Sequence, residues 1–257
     1  MGTFIDLKSA DGFVFPAYVA EPAGKPKAAV VVLQEIFGVN SHIRSVADGY
    51  AAAGYLAVAP ATFHRAQTGV DLGYTEADMK AGTELKAAAE ALSAPTAATG
   101  RPEQVQPPRG AAQDAERQAW GPPKVLQDIQ AAINHAAQTT GGKVGIVGYC
   151  WGGLLTWRSA CTLSGLSAAA PYYGGGMTVG DEPARQPACP VMVHFGNQDH
   201  WIPMDTVEVF QKAQPGVHVF VYDANHGFNC DQRGSYNEAA AKLAKQRTLD
   251  FFAQHLA

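Results

Sequence analysis

The sequence is poor in charge. Asp, Glu, Lys and Arg make up 16% of its 257 residues, whereas soluble domains typically contain about 25%. The 19 basic side chains are outnumbered by 23 acidic ones, which leaves a net charge of −4. A chain with this balance has no basic surface to attract phosphates or anionic lipids. We therefore expect neither a nucleic-acid partner nor a membrane partner.

Long hydrophobic runs are also missing. No stretch approaches the roughly eighteen consecutive apolar residues of a membrane-spanning helix. The first eight residues, Met-Gly-Thr-Phe-Ile-Asp-Leu-Lys, lack the basic and apolar segments of a secretory signal. The sequence therefore predicts a soluble, cytoplasmic protein. Its 47% hydrophobic content is high enough for a large core, which excludes a disordered chain.

Cysteine is scarce as well. The four cysteines are Cys150, Cys161, Cys189 and Cys230. They are too few and too widely spaced for a disulfide framework, and no pair has the C-x-x-C spacing of a structural zinc site. The eight histidines share no metal-ligand spacing. We therefore expect no metal site, and at least one cysteine requires another explanation.

The chain has instead a regular alternation of two patterns. Short apolar runs rich in β-branched residues are typical of parallel strands that are covered on both faces. These runs are residues 28–33, 55–59, 143–147, 168–172, 190–195 and 217–222. Elsewhere, apolar side chains recur at three- and four-residue spacing, which indicates amphipathic helices. These side chains are Val125, Leu126, Ile129 and Ile133, and then Leu243, Leu249, Phe252 and Leu256.

The first twenty residues differ, because segments 3–7 and 13–19 alternate around an Ala-Asp-Gly turn, a pattern typical of an antiparallel hairpin. The sequence predicts one α/β domain over residues 1–257, with a mostly parallel sheet, helices on both faces and this hairpin at the sheet edge.

Residues 94–118 interrupt the alternation, since they are rich in proline and alanine and nearly free of large apolar side chains. We expect an inserted surface loop there, with a lid over a site as the alternative.

A candidate nucleophile follows the run 143–147. Residues 148–153 read Gly-Tyr-Cys-Trp-Gly-Gly and lead into a helical segment, which matches the G-x-nucleophile-x-G turn between a strand and a helix. This turn projects its central side chain above the sheet, and the glycines remove side chains that would collide there. The amino end of the following helix favours a thiolate. We interpret Cys150 as a catalytic nucleophile, against the alternative of a buried structural cysteine.

An acid and a base follow later strands, in the chain order nucleophile, acid, histidine in which folds with this elbow supply them. Asp199 and His226 each come directly after a predicted strand. Because the carboxyl ends of parallel strands meet at one edge of a sheet, we expect both side chains to approach Cys150. Asp223 is the rival acid, but it lies only three residues before His226.

A further carboxylate, Glu35, follows the first parallel run, where hydrolases of this architecture place a backbone N–H of the oxyanion hole. A glutamate facing the site there is costly to bury unless it is protonated or paired. The alternative is an exposed glutamate without a role in the site.

Together these motifs resemble those of the dienelactone hydrolases (carboxymethylenebutenolidases), which have the α/β-hydrolase fold. The resemblance runs from about Gly12 to the last helix and rests on five segments. They are residues 34–38 (Gln-Glu-Ile-Phe-Gly), 148–153, 172–174 (Tyr-Tyr-Gly), 194–200 (His-Phe-Gly-Asn-Gln-Asp-His) and 226–228 (His-Gly-Phe). A cysteine at the elbow combined with Glu35 is the specific part, because most other α/β-hydrolases use serine and lack this carboxylate.

The resemblance implies a catalytic triad of Cys150, His226 and Asp199, with Glu35 helping to deprotonate Cys150 when substrate arrives. It implies that the Cys150 thiolate attacks a lactone carbonyl, that the ring opens to an acyl-enzyme, and that water activated by His226 releases the acid. No metal or organic cofactor is required.

The resemblance also implies an oxyanion hole formed by the backbone N–H groups of Ile36 and Trp151. Further candidate substrate contacts are Phe37, Tyr172, Trp201 and Arg233.

The arginines depart from the family pattern. Family members that act on the chlorocatechol-derived lactone bind its carboxylate with arginines, one of them two residues after a His-Ser-Phe type motif. Here Cys230 occupies that position, Gly227 replaces the serine, and Arg233 lies three residues further on. Candidates for the second arginine are Arg65, Arg109 and Arg117. Hydrolysis is therefore better supported than a dienelactone as the substrate.

We expect a cysteine hydrolase that opens lactones or small activated esters as a monomer or small homo-oligomer. A thioesterase or general carboxylesterase with the same triad is the first alternative. A ligand-binding or sensor module that kept the elbow without turnover is the second, although all four polar catalytic positions are filled.

Overall fold

The computed structural model describes residues 2–92 and 124–257, which share one eight-stranded sheet. The strands are β1 (Thr3–Lys8), β2 (Val14–Ala20), β3 (Ala29–Leu33), β4 (Leu56–Pro60), β5 (Val144–Tyr149), β6 (Leu166–Tyr172), β7 (Met192–Gly196) and β8 (His218–Tyr222). The α-helices are α1 (Ser41–Ala52), α2 (Glu76–Ala91), α3 (Lys124–Thr140), α4 (Trp151–Thr162), α5 (Met204–Ala213) and α6 (Glu238–His255). The loop expected at 94–118, with Arg109 and Arg117, lies outside the described residues.

The order of strands in the sheet is β1-β2-β4-β3-β5-β6-β7-β8. The pairs β1–β2 and β2–β4 are antiparallel, and every other pair is parallel. The edge hairpin predicted from the sequence is therefore confirmed. It turns at Gly12, whose φ of +87° lies in the region that side-chain-bearing residues rarely adopt.

The middle of the sheet is covered on both faces. Every residue of β3, β4, β5 and β7 is buried, as the continuous apolar runs predicted for parallel strands. The prediction for the last helix was partly wrong, because Leu243 is 47% exposed. Alanines and Phe252 make up much of the buried face of α6 instead. No helix among residues 2–92 and 124–257 is both long and apolar enough to cross a membrane.

A buried histidine ties the last helix to the sheet. His194 of β7 has Nδ1 2.8 Å from the Tyr222 hydroxyl and Nε2 2.9 Å from Oγ1 of Thr248 on α6. Burial, reinforced by the positive charge of Arg247, lowers the pKa of His194 to about 3. The imidazole is therefore neutral at pH 7, with both ring nitrogens hydrogen-bonded.

This histidine makes stability depend on pH. An unfolded histidine takes up a proton below about pH 6.5, whereas folded His194 does so only near pH 3. Because the unfolded state binds more protons between these values, we expect the free energy of unfolding to fall as the pH falls through that window. Urea unfolding at pH 8 and pH 5 should show a smaller difference for His194→Gln than for the wild type. An equal difference in both proteins would assign the loss to other groups.

Candidate active site

The backbone at Cys150 makes the sharp turn that the sequence predicted between β5 and α4. Its φ of 55° and ψ of −118° are rare for a residue with a side chain. The strain is held by two hydrogen bonds, since the amide donates to the Tyr172 carbonyl over 3.1 Å and the carbonyl accepts from Gly153 over 2.9 Å. The half-buried Cys150 side chain lies beyond the carboxyl end of β5.

The start of α4 packs directly on the end of β3. A Cβ atom on Gly152 would lie 2.4 Å from the carbonyl oxygen of Gln34 and 2.6 Å from that of Leu33, so only glycine permits this approach. Since β3 and β5 are neighbouring parallel strands, the close packing brings the residues that follow them, Glu35 and Cys150, to the same edge of the sheet.

His226 and Asp199 lie in the loops after β8 and β7. Nδ1 of His226 is 2.7 Å from Oδ2 of Asp199, and Oδ1 of Asp199 accepts the backbone N–H of Trp201 over 2.8 Å. Both side chains are buried. Burial by itself lowers the pKa of His226, but the thiolate charge of Cys150 and the hydrogen bonds to Asp199 and Cys150 outweigh it, and the pKa rises to about 10. The imidazole therefore lies between a thiol and a carboxylate.

The rival acid Asp223 does not occupy this position. Its side chain is exposed, and its Oδ1 accepts a hydrogen bond from Nε2 of Gln198 over 2.8 Å. The hydrogen bond of the His226 ring to a carboxylate goes to Asp199 instead.

Glu35 is buried and paired with an arginine. Only 1% of its surface is exposed, so the alternative of an exposed glutamate is wrong. Its Oε1 lies 3.4 Å from a terminal nitrogen of Arg233, whose guanidinium also lies 5.7 Å from the centre of the Phe37 ring. The ion pair offsets the cost of burying the carboxylate.

Gly227 makes room for this arginine. It has a φ of +78°, and a Cβ atom there would lie 2.3 Å from the guanidinium of Arg233. A serine at this position would displace the arginine. The two departures from the family pattern are therefore connected, because the glycine opens the space that Arg233 fills.

Two adjacent tyrosines at the end of β6 have different surroundings. Tyr172 was expected to contact substrate, but it is fully buried and its hydroxyl lies 2.7 Å from Oγ1 of Thr248. A fully buried side chain with a paired hydroxyl presents no surface to a substrate. The sequence reasoning missed Tyr173, which is also fully buried but whose ring lies 5.1 Å from that of His226. Its φ of 35° turns the chain sharply after the strand, and the motif at 172–174 was the signal for it.

Two further candidate side chains, Trp201 and Arg65, differ in exposure and in their partners. Trp201 is 75% exposed beside Asp199. Arg65 is held by Asp11 and Asp128 at 2.7–3.0 Å, so ion pairs already occupy its guanidinium.

Two backbone amides lie near the elbow. Trp151 is the first residue of α4, where an N–H group has no acceptor within its own helix. Ile36 lies in the turn after β3, and α2 packs against it so tightly that a Cβ atom on Gly82 would lie 2.3 Å from its carbonyl oxygen. Helix packing therefore holds this turn in position.

Comparisons with known proteins agree with the fold and these motifs. The family model described as "Dienelactone hydrolase family" matches residues 15–256. A Synechocystis sp. protein assigned as a carboxymethylenebutenolidase is 34% identical, with 93% of this chain and 91% of that protein aligned. The carboxymethylenebutenolidase of Pseudomonas putida is 30% identical over 97% of this chain and 95% of its own.

A solved structure is similar over the same length. The crystal structure of a Klebsiella pneumoniae protein assigned as a dienelactone hydrolase superposes with a TM-score of 0.75 at 30% identity. The superposition covers 99% of this chain and 98% of that one. The chain therefore belongs to the dienelactone hydrolase family and is a hydrolase with the α/β-hydrolase fold.

Proposed function

We propose that this protein hydrolyses lactones or small activated esters through a covalent intermediate on Cys150, and that residues 1–257 form one catalytic domain. The observation that carries the proposal is the positive-φ elbow at Cys150 together with the His226–Asp199 pair at 2.7 Å. A thiol next to an imidazole that a buried carboxylate orients is the arrangement that activates a nucleophile.

The reaction follows from this arrangement in two steps. The Cys150 thiolate forms a bond to the carbonyl carbon, and the carbonyl electron pair moves to oxygen, where the N–H groups of Ile36 and Trp151 stabilise the negative charge. When this electron pair re-forms the carbonyl double bond, the bond between the carbonyl carbon and the alkoxide oxygen breaks. In a lactone that oxygen stays tethered to the acyl group. Water deprotonated by His226 then attacks the thioester and releases the acid.

Glu35 helps to form the thiolate in this mechanism. Its contact with Arg233 is 3.4 Å, longer than the 2.7–2.9 Å usual for a strong charge-assisted hydrogen bond. Arg233 therefore holds the carboxylate only weakly, and the carboxylate accepts the thiol proton of Cys150 when substrate enters. Arg233 keeps a positive charge beside the site, and we propose it as a contact for a polar group of the substrate, with Phe37 as an apolar wall.

Trapping the intermediate tests the proposal. The protein is mixed with a slowly hydrolysed aryl ester, quenched in acid and analysed by intact mass and peptide mapping. We expect one acyl group per chain on the peptide that contains Cys150. Initial rates with dienelactones, saturated lactones, aryl esters and thioesters then identify the substrate class. Acylation of another residue, or no turnover of any lactone or ester, would contradict the proposal.

Glu35→Gln tests the role of the carboxylate. Because glutamine keeps the shape but cannot take a proton, we expect kcat to fall by about 10²-fold, the lower end of the usual contribution of a general base, with little change in KM. The matched control is Glu182→Gln. It changes another buried, arginine-paired glutamate, in the segment between β6 and β7, and should leave kcat unchanged. Unaltered kinetics for Glu35→Gln would remove this residue from the mechanism.

A further inference from the structure

Three potential metal ligands converge at Glu35. One donor atom each of Glu35, His42 and Cys230 lies within 4.8 Å of the others, and all three residues are buried. They come from the turn after β3, the first turn of α1 and the loop after β8. Glu35 and His42 are close in the chain, but Cys230 lies far from both, so no spacing in the sequence predicted a metal site.

Two of these donor atoms lack a partner. Among residues 2–92 and 124–257, neither Oε2 of Glu35 nor Nε2 of His42 has a hydrogen-bond partner. Buried polar atoms are nearly always paired, so each exception requires an explanation. Both residues belong to the same cluster as a fully buried thiol, and a carboxylate, an imidazole and a thiol together are donor types that transition metals use.

The other nitrogen of His42 is already held. Nδ1 lies 3.2 Å from Oδ1 of Asp231, and when it donates its hydrogen to this carboxylate, Nε2 keeps its lone pair for the cluster. A carboxylate that orients a ligating histidine in this way is the usual outer partner in zinc sites.

We propose that Glu35, His42 and Cys230 bind one divalent transition-metal ion, with Zn²⁺ the best chemical fit. One sulfur, one nitrogen and one oxygen donor suit a borderline-soft ion with tetrahedral preference, and three protein ligands leave the fourth position to water. On binding, the sulfur–metal bond replaces the S–H bond of Cys230, and the proton passes to solvent.

The charges and the access route suit a cation. The carboxylates of Glu35 and Asp231 and the thiolate that Cys230 forms on binding carry three negative charges, against one positive charge on Arg233. A surface pocket of about 180 Å³ reaches His42 and Asp231. The Asp231 side chain is 61% exposed at this pocket, so a hydrated ion meets a carboxylate before it reaches the buried ligands.

Metal binding and catalysis would compete for Glu35. An ion that coordinates the carboxylate prevents it from accepting the Cys150 proton, so the occupied protein is reversibly inhibited. This consequence rests on the proposed function, whereas the binding of metal does not.

Cobalt titration of the Cys150→Ala variant tests the binding site. The substitution removes the nucleophilic thiol, which would itself bind metal, and Co²⁺ reports a thiolate ligand by its sulfur-to-cobalt charge-transfer absorption. We expect one Co²⁺ per chain with this band, and its loss on addition of Zn²⁺. In this background Cys230→Ser should abolish the band, while the matched control Cys161→Ala/Cys189→Ala should retain it.

A second substitution tests the outer partner. In the same background, Asp231→Asn should keep the band but weaken Co²⁺ binding by about 10–100-fold. His42→Gln should weaken it further and serves as the decisive variant if Cys230→Ser does not fold, as judged by circular dichroism. Absence of the band in Cys150→Ala, or a band that persists without Cys230 or at full affinity without His42, would overturn the proposal. Since no variant contains Cys150, these outcomes do not depend on the hydrolytic mechanism.

Discussion

Replacing Cys150 by alanine is expected to lower kcat by about 10⁶-fold while the protein remains folded. Loss of the nucleophile in a triad hydrolase removes the covalent route, and the residual rate comes from the oxyanion hole and substrate binding alone. Cys150→Ser should retain a slow reaction, because a hydroxyl is much harder to ionise than a thiol. Rates with an aryl ester, together with thermal unfolding, measure both effects.

Cys161→Ala is the matched control for this substitution. It removes a thiol near the opposite end of α4, where Cys161 is half-buried like Cys150. Burial, with a contribution from the Glu182 charge, raises the pKa of the Cys161 thiol to about 12, so it is protonated and unreactive at neutral pH. We expect its kcat to equal that of the wild type. If Cys150→Ala also kept full activity, the elbow cysteine would not be the nucleophile.

The second large effect is expected for Asp199→Asn, with kcat reduced by about 10⁴-fold, as for the equivalent change in a serine triad. The 2.7 Å contact requires Nδ1 of His226 to donate to a carboxylate oxygen. An amide presents its own N–H donors to the ring, so the imidazole takes the tautomer that cannot accept a proton from the attacking water at Nε2. Single-turnover measurements of thioester hydrolysis isolate this step from product release.

Asp223→Asn separates the two candidate acids. The chemical change is the same as in Asp199→Asn, and Asp223 lies three residues before His226. The Asp223 side chain is exposed, however, and accepts a hydrogen bond from Gln198. We expect wild-type kcat for this variant. A large loss with Asp223→Asn and a small one with Asp199→Asn would reverse the assignment of the acid.

Local sequence was sufficient for the fold and for the order of the proposed catalytic groups. Strands buried on both faces are apolar throughout, so β3, β4, β5 and β7 could be identified without knowledge of their neighbours. The elbow at 148–153 also leaves a local pattern, because its backbone conformation requires glycine at the points of close approach. Leu243 shows the limit of this reasoning, since helical spacing alone did not tell which residues of α6 face the sheet.

The contacts around Glu35 were beyond local sequence. Arg233 lies 198 positions away in the chain, and only the turn at Gly227 shows why it reaches the carboxylate. Tyr172 and Tyr173 are adjacent and chemically identical, yet backbone geometry directs one hydroxyl to Thr248 and the other ring to His226. Periodicity concerns one element at a time, and it does not describe which side chains meet across elements.

The sequence by itself determined the α/β-hydrolase architecture, the family and the chain order of Cys150, Asp199 and His226, because short-range backbone and hydrophobic patterns encode these features. The tertiary structure decided the ion pair of Glu35 with Arg233 and the convergence of Glu35, His42 and Cys230. Both depend on long-range packing at the carboxyl edge of the sheet, where loops from distant parts of the chain are brought within a few ångströms. The scarcity of charge and cysteine therefore did not exclude a cluster of Glu35, His42 and Cys230, because tertiary packing brings these three side chains together.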